Sequence, residues 1–479
     1  MTTDTESTVA SATTTNPWVP LVVVMASTIM VVLDSTIVNV ALHEIGVDLG
    51  AGDGIEWIVT AYLLAVCISQ PATGWLADRF GRRRVFLTSL VAFTLASAAC
   101  AVAPTLGVLI LCRVLQGLGG GALMPVGMTM VFEMFPRRQH GRAIAVWGMA
   151  AMVAPAIGPT LGGWLVTSFS WHWIFLINVP IGIAALIAGI RLLPDIGHRE
   201  NRPFDGPGLA LGGGGLAVII LGIAQGPTWG WTSATTVGCL LAGAALLAVF
   251  VRHELRRTHP LLELRMFQQR SFRLAMIVMA FIMGAQYARL VFVPLQLESL
   301  RGYSAMEVGL MFIVPAIATA IAMSIGGRMV DQIGPRTPVM IGCGGMVVAM
   351  GCFSQLTLTT PAWVIVALLS IQGLSMGLTM SPAMVAGLSD LPARLVAQGS
   401  AMRSLVTQVS GAVAVALLGA VVESKMGTDP SPEHAQQAYN SAFLFAAIGV
   451  GIGLAVASRL PRGTIVHEGV GSEALLAAE

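Results

Sequence analysis

Fourteen apolar stretches succeed one another along this chain, each long enough to cross roughly 30 Å of hydrocarbon at 1.5 Å per residue. They begin near residues 18, 55, 85, 106, 142, 173, 207, 234, 272, 305, 337, 362, 399 and 439. A backbone in lipid must satisfy its own hydrogen bonds, so such stretches cross as helices. Composition agrees: 55% of the 479 residues are hydrophobic and 10% charged, against roughly a quarter charged in soluble domains. The expected class is therefore an all-α membrane protein of about fourteen transmembrane helices. The seventh stretch is the weakest by composition, because it contains Leu211-Gly-Gly-Gly-Gly-Leu216. Residues 1–17 are polar, carry Asp4 and Glu6 and have no Lys or Arg, unlike the basic start of a cleaved signal peptide. The first span is thus expected to stay. The six cysteines fall inside apolar runs without CxxC spacing, so neither a disulfide nor a metal site is indicated, and no cofactor is implied.

Positive charge near span ends is retained in the cytoplasm, and here it sorts cleanly. Arg79, Arg82, Arg83 and Arg84 follow the second stretch, Arg137, Arg138 and Arg142 the fourth, Arg191, Arg199 and Arg202 the sixth. Arg252, Arg256, Arg257, Arg265, Arg270 and Arg273 follow the eighth, and Arg328, Arg336, Arg394, Arg403, Arg459 and Arg462 the later even ones. Only Arg301 and Lys425 fall in odd loops, and the first odd loop is acidic through Glu44, Asp48, Asp53 and Glu56. Both termini are expected in the cytoplasm. Trp57, Trp171, Trp173, Trp229, Trp231 and Trp363 then lie near outer ends, as an interfacial aromatic belt requires.

The chain also repeats itself. Gly74-Trp-Leu-Ala-Asp78-Arg-Phe-Gly81-Arg-Arg-Arg84 recurs as Gly327-Arg-Met-Val-Asp331-Gln-Ile-Gly334-Pro-Arg336 at an offset of 253, and Gln116-Gly-Leu-Gly-Gly-Gly121 as Gln372-Gly-Leu-Ser-Met-Gly377 at an offset of 256. Two matches in register predict two related six-helix bundles, residues 18–203 and 259–462, with two inserted helices in 204–258 and cytoplasmic tails 1–17 and 463–479. Parallel repeats of this kind place the substrate site between the halves near mid-membrane, exposed alternately to each side.

Several segments together carry a resemblance. They are Leu33-Asp34-Ser-Thr36-Ile-Val38-Asn39-Val-Ala-Leu42, the loop from Gly74 to Arg84, Arg113 with Gln116-Gly117, the set Gly148, Pro155, Gly158-Pro159 and Gly162-Gly163, and Trp171-His-Trp173-Ile-Phe-Leu-Ile-Asn178-Val-Pro180. In these the chain resembles the fourteen-span drug:proton antiporters of the major facilitator superfamily, the group that includes QacA and EmrB. His43 and His172 depart from that pattern, standing where Pro and Arg are usual. The resemblance implies proton-coupled export of lipophilic compounds from an inner membrane, often conferring antibiotic resistance. It implies that Gly148, Pro155, Gly158, Pro159, Gly162 and Gly163 form the motif that goes with exporters. It also implies that the Gly74–Arg84 loop latches the cytoplasmic side in the outward-facing state through Gly74, Asp78, Arg79, Gly81, Arg82 and Arg83.

Bottom-up, Asp34 is the most expensive residue, an acid deep inside the first span, where an ionised carboxylate costs a few kcal/mol or more unless partnered. A structural acid bonded to Ser35, Thr36 or backbone is the bland reading. Burial disfavours the charged form of a carboxylate, so an acid dry in one orientation of a transporter and wet in the other could load a proton outside and release it inside. Asp34 lies about eight residues below the outer end of its stretch and Arg113 about seven residues into the fourth, depths of about 10–12 Å each at 1.5 Å per residue. The two are expected to pair in proton coupling; Arg289 falls at a comparable level, and Tyr287 occupies the position offset from Asp34. The alternative for both arginines is pairing with carbonyls or helix ends. Asp78 precedes the third helix, whose N-terminus favours an acid, while Gly74 and Gly81 permit tight turns. The arginines 82–84 are equally served by positive-inside anchoring, and the small residues of the fifth span by close packing alone.

Met30, Asn39, Trp147, Met283, Gln286, Tyr287, Arg289 and Met380 are the candidate cavity lining, where methionines suit adaptable apolar binding. Relatives that export dications tend to carry a further acid in the tenth span, where residues 305–327 offer only Glu307, and Arg289 adds positive charge; the resemblance therefore implies a neutral, zwitterionic or monocationic cargo rather than a dicationic one. No GxxxxGK[ST] loop or catalytic constellation occurs, which leaves an ion gradient as the energy source and gives no sign of an enzyme. The expected partners are protons, lipophilic small molecules and membrane lipids, with no nucleic acid, for a monomer with or without accessory envelope proteins. A dedicated exporter of one metabolite, siderophore or lipid, and a gated channel, remain as alternatives.

Overall fold

A computed structural model describes residues 16–50, 54–136, 139–195, 203–258, 260–388, 391–392, 395–426 and 431–461. Residues 1–15 and 463–479 of the tails and Asp53, Arg137, Arg138, Arg199, Arg202, Arg394 and Arg462 lie outside the described residues. Fourteen long helices account for the described chain: α1 Trp18–Asp48, α2 Trp57–Phe80, α3 Arg82–Ala101, α4 Leu106–Met134, α5 His140–Ser168, α6 Trp173–Leu192, α7 Gly206–Ala224, α8 Ala234–Arg256, α9 Arg270–Arg301, α10 Met306–Ile333, α11 Arg336–Phe353, α12 Ala362–Leu388, α13 Val396–Met426 and α14 Pro432–Ala457. Thirteen have the length and hydropathy to cross a membrane; α5, 29 residues long, packs among them against α1 and α10.

The apolar runs become helices because lipid leaves the backbone no other partner, and proline and glycine set their irregularities. Pro71 lies in a 3-10 turn at Gln70–Ala72 inside α2, and α4 breaks into Leu106–Gly120 and Leu123–Met134. The glycine run of α7 is fully helical. Its bare Cα positions seat the helix: a Cβ on Gly213 would come within 3.0 Å of the Ile68 carbonyl of α2, and one on Gly215 within 3.0 Å of Leu247 of α8. The composition that weakens a helix in water here permits close packing.

Helices α1 to α6 pack mainly on one another, as do α9 to α14. Between the groups the contacts are mirror-related. The cytoplasmic part of α2 and the lower part of α4 meet α13, while α10 and α12 meet α5. The α7–α8 hairpin lies outside both groups, with α7 against α2 and α13 and the Trp231 amide donating to Glu423 of α13 at 3.2 Å.

The two groups touch closely near the arginine-rich ends. Gly74 faces Gln398 of α13, where an added Cβ would lie 3.1 Å from the Gln398 Cγ and 3.3 Å from its Cα. Gly327 of α10 and Gly141 of α5 approach so closely that a Cβ on either would overlap the other's carbonyl oxygen. Asp331 accepts a hydrogen bond from the Gly141 amide at 3.3 Å, and Ser381 of α12 donates to the Gly141 carbonyl at 3.3 Å.

Candidate functional site: a buried acid in the first helix

Helix α1 is 31 residues long, about 46 Å at 1.5 Å per residue, so it overshoots the hydrocarbon. Its outer end is tied down by Trp171, whose indole donates to Asp48 at 2.8 Å. Asp34 consequently sits near the helix midpoint, deeper below the outer end than the eight residues read from the sequence. It is fully buried, and so is Arg113.

The carboxylate acts only as an acceptor. Its Oδ2 takes a bond from the Arg113 Nη1 at 2.6 Å, and its Oδ1 takes bonds from the Gln116 and Asn178 side-chain amides, each at 2.9 Å. Arg113 in turn donates to the Gln116 Oε1 at 2.7 Å and, through Nε, to the Ile58 carbonyl at 3.2 Å. Its guanidinium lies 4.1 Å from the Tyr62 ring centroid and 5.7 Å from that of Phe175, a cation–π arrangement that desolvation strengthens. Asn178 also donates to Ser97 at 3.1 Å. Five side chains, Tyr62 of α2, Ser97 of α3, Gln116 of α4, and Phe175 and Asn178 of α6, thus enclose one neutral ion pair. Removing one partner of such a pair would strand a buried charge at about 3–5 kcal/mol.

Four of these residues, Tyr62, Ser97, Gln116 and Asn178, were not picked out by the sequence reading as site residues, although Gln116 and Asn178 fall within the segments that carry the resemblance. The available signal was polarity inside an apolar span. Arg289 stands apart: it is buried on α9 with its guanidinium 5.1 Å from the Phe312 ring centroid, and the hydrogen bonds of Asp34 go to Arg113, Gln116 and Asn178.

The other candidate lining residues are scattered in this conformation. Met30, Trp147 and Met283 are buried in the core, with the Trp147 indole donating to Thr28 of α1 at 3.0 Å. Gln286, Tyr287 and Met380 are partly buried, and Asn39 is exposed. An open cavity of about 540 Å³ contains none of them. It opens between α3 and α4 beside Ala92, Leu95, Leu115 and Leu118, of which Leu95 and Leu115 are more than half exposed, a lipid-facing cleft.

In the α2–α3 loop, Gly81 has φ +86°, a conformation open to glycine. Gly334 at the mirrored loop repeats it with φ +80°. Asp78 is buried with its Oδ1 3.9 Å from Arg82, and Arg82 pairs with Glu133 of α4 at 2.9 Å. Arg83 donates to the Ile190 carbonyl of α6, while Arg79 is exposed. Along α5, a Cβ on Gly158 would overlap Thr36 and one on Gly162 would lie 2.7 Å from Ile37, both on α1, whereas Gly148 faces Met323 of α10. Positions 155 and 159 fall within α5, with their proline side chains outside the described set.

Comparison with known proteins agrees with this architecture. Residues 24–415 match the family model for the Major Facilitator Superfamily. The chain belongs to that superfamily. A Multidrug resistance protein B homolog from Mycobacterium tuberculosis is 35% identical over 406 residues, covering 84% of this chain and 75% of that protein. The Tetracenomycin C resistance and export protein of Streptomyces glaucescens is 32% identical over 424 residues, covering 87% of this chain and 78% of that one. Among solved structures, the human organic anion transporter MFSD10 superposes with a TM-score of 0.64 at 14% identity, over 92% of this chain and all of that one. This major facilitator chain is therefore a multi-pass membrane protein with the fold expected from its sequence.

Proposed function

We propose that this protein is a proton-coupled antiporter that exports lipophilic small molecules by alternating access. One observation carries the reading: Asp34 is fully buried and bonded to Arg113 at 2.6 Å, so it can take up a proton from water only when the surrounding helices part. The names of its relatives, multidrug and tetracenomycin resistance proteins, support the direction and the class of cargo.

The proposed cycle uses the residues around the acid. A proton arriving at Oδ2 removes the acceptor of the Arg113 Nη1, and the guanidinium keeps Gln116, the Ile58 carbonyl and the Tyr62 face. Neutralising the acid lowers the penalty of moving it through an apolar environment. Because Gly158 and Gly162 seat α5 directly on Thr36 and Ile37, a shift of α1 carries α5 with it. The first turn of α5 meets α10 at Gly141 and Gly327, so the shift reaches the cytoplasmic contacts. Proton binding would thereby bias the exposure of the cargo site.

The test is dye efflux by purified protein in liposomes under an imposed pH gradient. Asp34→Asn is expected to bind cargo and to lose gradient-driven transport; full transport by that variant would overturn the reading. Export of a single compound is the second reading, favoured by the tetracenomycin relative, and a panel of chemically distinct cargoes separates the two.

A further inference from the structure

A cluster outside the antiport site has metal-ligand chemistry, and it stands independently of the proposed transport function. It lies where the α7–α8 hairpin joins the second helix group, on the arginine-rich side. Asp205 caps the first turn of α7, its Oδ1 accepting from the Gly208 amide at 3.0 Å. The His253 Nε2, from the last turn of α8, lies 2.9 Å from the Asp205 Oδ2 and 3.1 Å from its Oδ1. Next to it Glu254, 2% exposed, spends Oε2 on the Leu262 amide at 3.1 Å. Its Oε1 is buried with no hydrogen-bond partner among the described residues.

One ligand atom from each of Asp205, His253 and Glu254 falls within 4.8 Å of the others. Both carboxylates face the bare Cα of Gly208, where an added Cβ would lie 2.5 Å from the Glu254 Oε1 and 2.8 Å from the Asp205 Oδ2. Two buried acids this close repel unless one of them holds a proton or a cation lies between them. His253 already bonds Asp205, and Arg257, its side chain 52% exposed, lies 3.9 Å from Asp205 and donates to the His253 Nε2 at 3.5 Å. The Glu254 Oε1 remains unsatisfied by either, and an unpaired buried acceptor costs about 1–3 kcal/mol.

We propose that Asp205, His253 and Glu254 bind one divalent transition-metal ion of the zinc class. An imidazole with two carboxylates gives three protein ligands and leaves a position for water, the donor set that zinc accepts. The nitrogen ligand disfavours magnesium and calcium, which take oxygen. The ion would fasten the first turn of α7 to the last turn of α8 and, through the Leu262 bond, to the connector into α9.

The test uses full-length protein in detergent with any affinity tag removed, titrated with Zn²⁺ against a chromophoric chelator, alongside metal content by mass spectrometry. One Zn²⁺ per chain is expected, with affinity falling at least about tenfold in both His253→Gln and Glu254→Gln, in line with what lost ligand support costs. Zn²⁺ should raise the Tm of the wild type and leave that of either variant unmoved. Co²⁺ should give visible absorption bands that His253→Gln abolishes. Should Glu254→Gln fail to fold, His253→Gln decides, since that side chain is partly exposed. Absence of a saturable Zn²⁺ site in the wild type, or unchanged affinity in the folded variants, would overturn the assignment.

Discussion

The two helix groups solve the same packing problem with opposite chemistry. In the first, Gly158 of α5 makes room beside Thr36, two residues beyond Asp34 on α1. In the second, at an offset of 253, Gly411 of α13 makes room for the ring of Tyr287 on α9. The glycine is common to both, and an acid is exchanged for an aromatic. The repeated glutamine behaves likewise: Gln116 bonds Asp34 and Arg113, whereas neither amide atom of the fully buried Gln372 has a partner among the described residues. At the offset of 256 from Arg113 stands Leu369, also buried. The backbone repeat is present in the second half without the ion pair, so helix packing there does not require the charges. On the proposed function, their cost is offset by the proton coupling they perform in the first half.

Tyr287→Asp is the strongest way to break that comparison. With Leu369 in place of an arginine, the new carboxylate would lack a charged counterpart, and the expected cost is about 3 kcal/mol or more. A large fall in thermal stability in detergent, with Asp34 untouched, is the expected outcome. If the variant is as stable as the wild type, the second half accommodates an acid and the asymmetry is not energetic.

Replacing the paired glutamines sharpens the contrast at smaller scale. Gln116→Leu removes one donor to Asp34 and one acceptor from Arg113, for an expected loss of about 1–3 kcal/mol and a marked fall in gradient-driven efflux. Gln372→Leu removes two unpartnered polar atoms and should be neutral or stabilising. Unfolding midpoints and efflux rates of the two variants side by side decide it; equal losses would erase the distinction.

The cytoplasmic contacts differ in stiffness. Gly327→Ala pushes a methyl into the Gly141 carbonyl, which is backbone and cannot rotate away, while Gly74→Ala meets first the Gln398 side chain. Overpacking of about 1–3 kcal/mol is expected at Gly327 and less than about 1 kcal/mol at Gly74. Spin-label distances across the α5–α10 and α2–α13 ends should widen more in Gly327→Ala. The smallest effect is expected from Asp331→Asn, which takes a negative charge from the start of α5 while leaving an oxygen to accept from Gly141. A loss of about 0.3–1 kcal/mol should appear in the same distance distributions as a modest rise of the open population.

The α7–α8 hairpin teaches a different lesson about legibility. Neither Asp205, His253 nor Glu254 attracted notice along the chain, because Asp205 and His253 are separated by 48 positions and the motif spacing that betrays local metal sites is absent. Only the folding of α7 back on α8 brings them together.

By itself the sequence determined the number of helices, their sequence positions, the side from which each starts and the existence of two repeats. All of these are recorded locally, in hydropathy, arginine placement and recurring glycines. It also singled out Asp34 and Arg113, since charge inside an apolar run is conspicuous without any structure. Tertiary structure alone decided the partners: Gln116 and Asn178, 82 and 144 positions from Asp34, complete the cage, while Arg289 is sent to Phe312. It also decided which candidate lining residues are buried in this conformation. The reason is physical. A helix in water carries an apolar stripe that shows which face turns inward, but lipid is as apolar as the core, so the facing of these helices is settled only by the glycines and polar groups that meet when they pack.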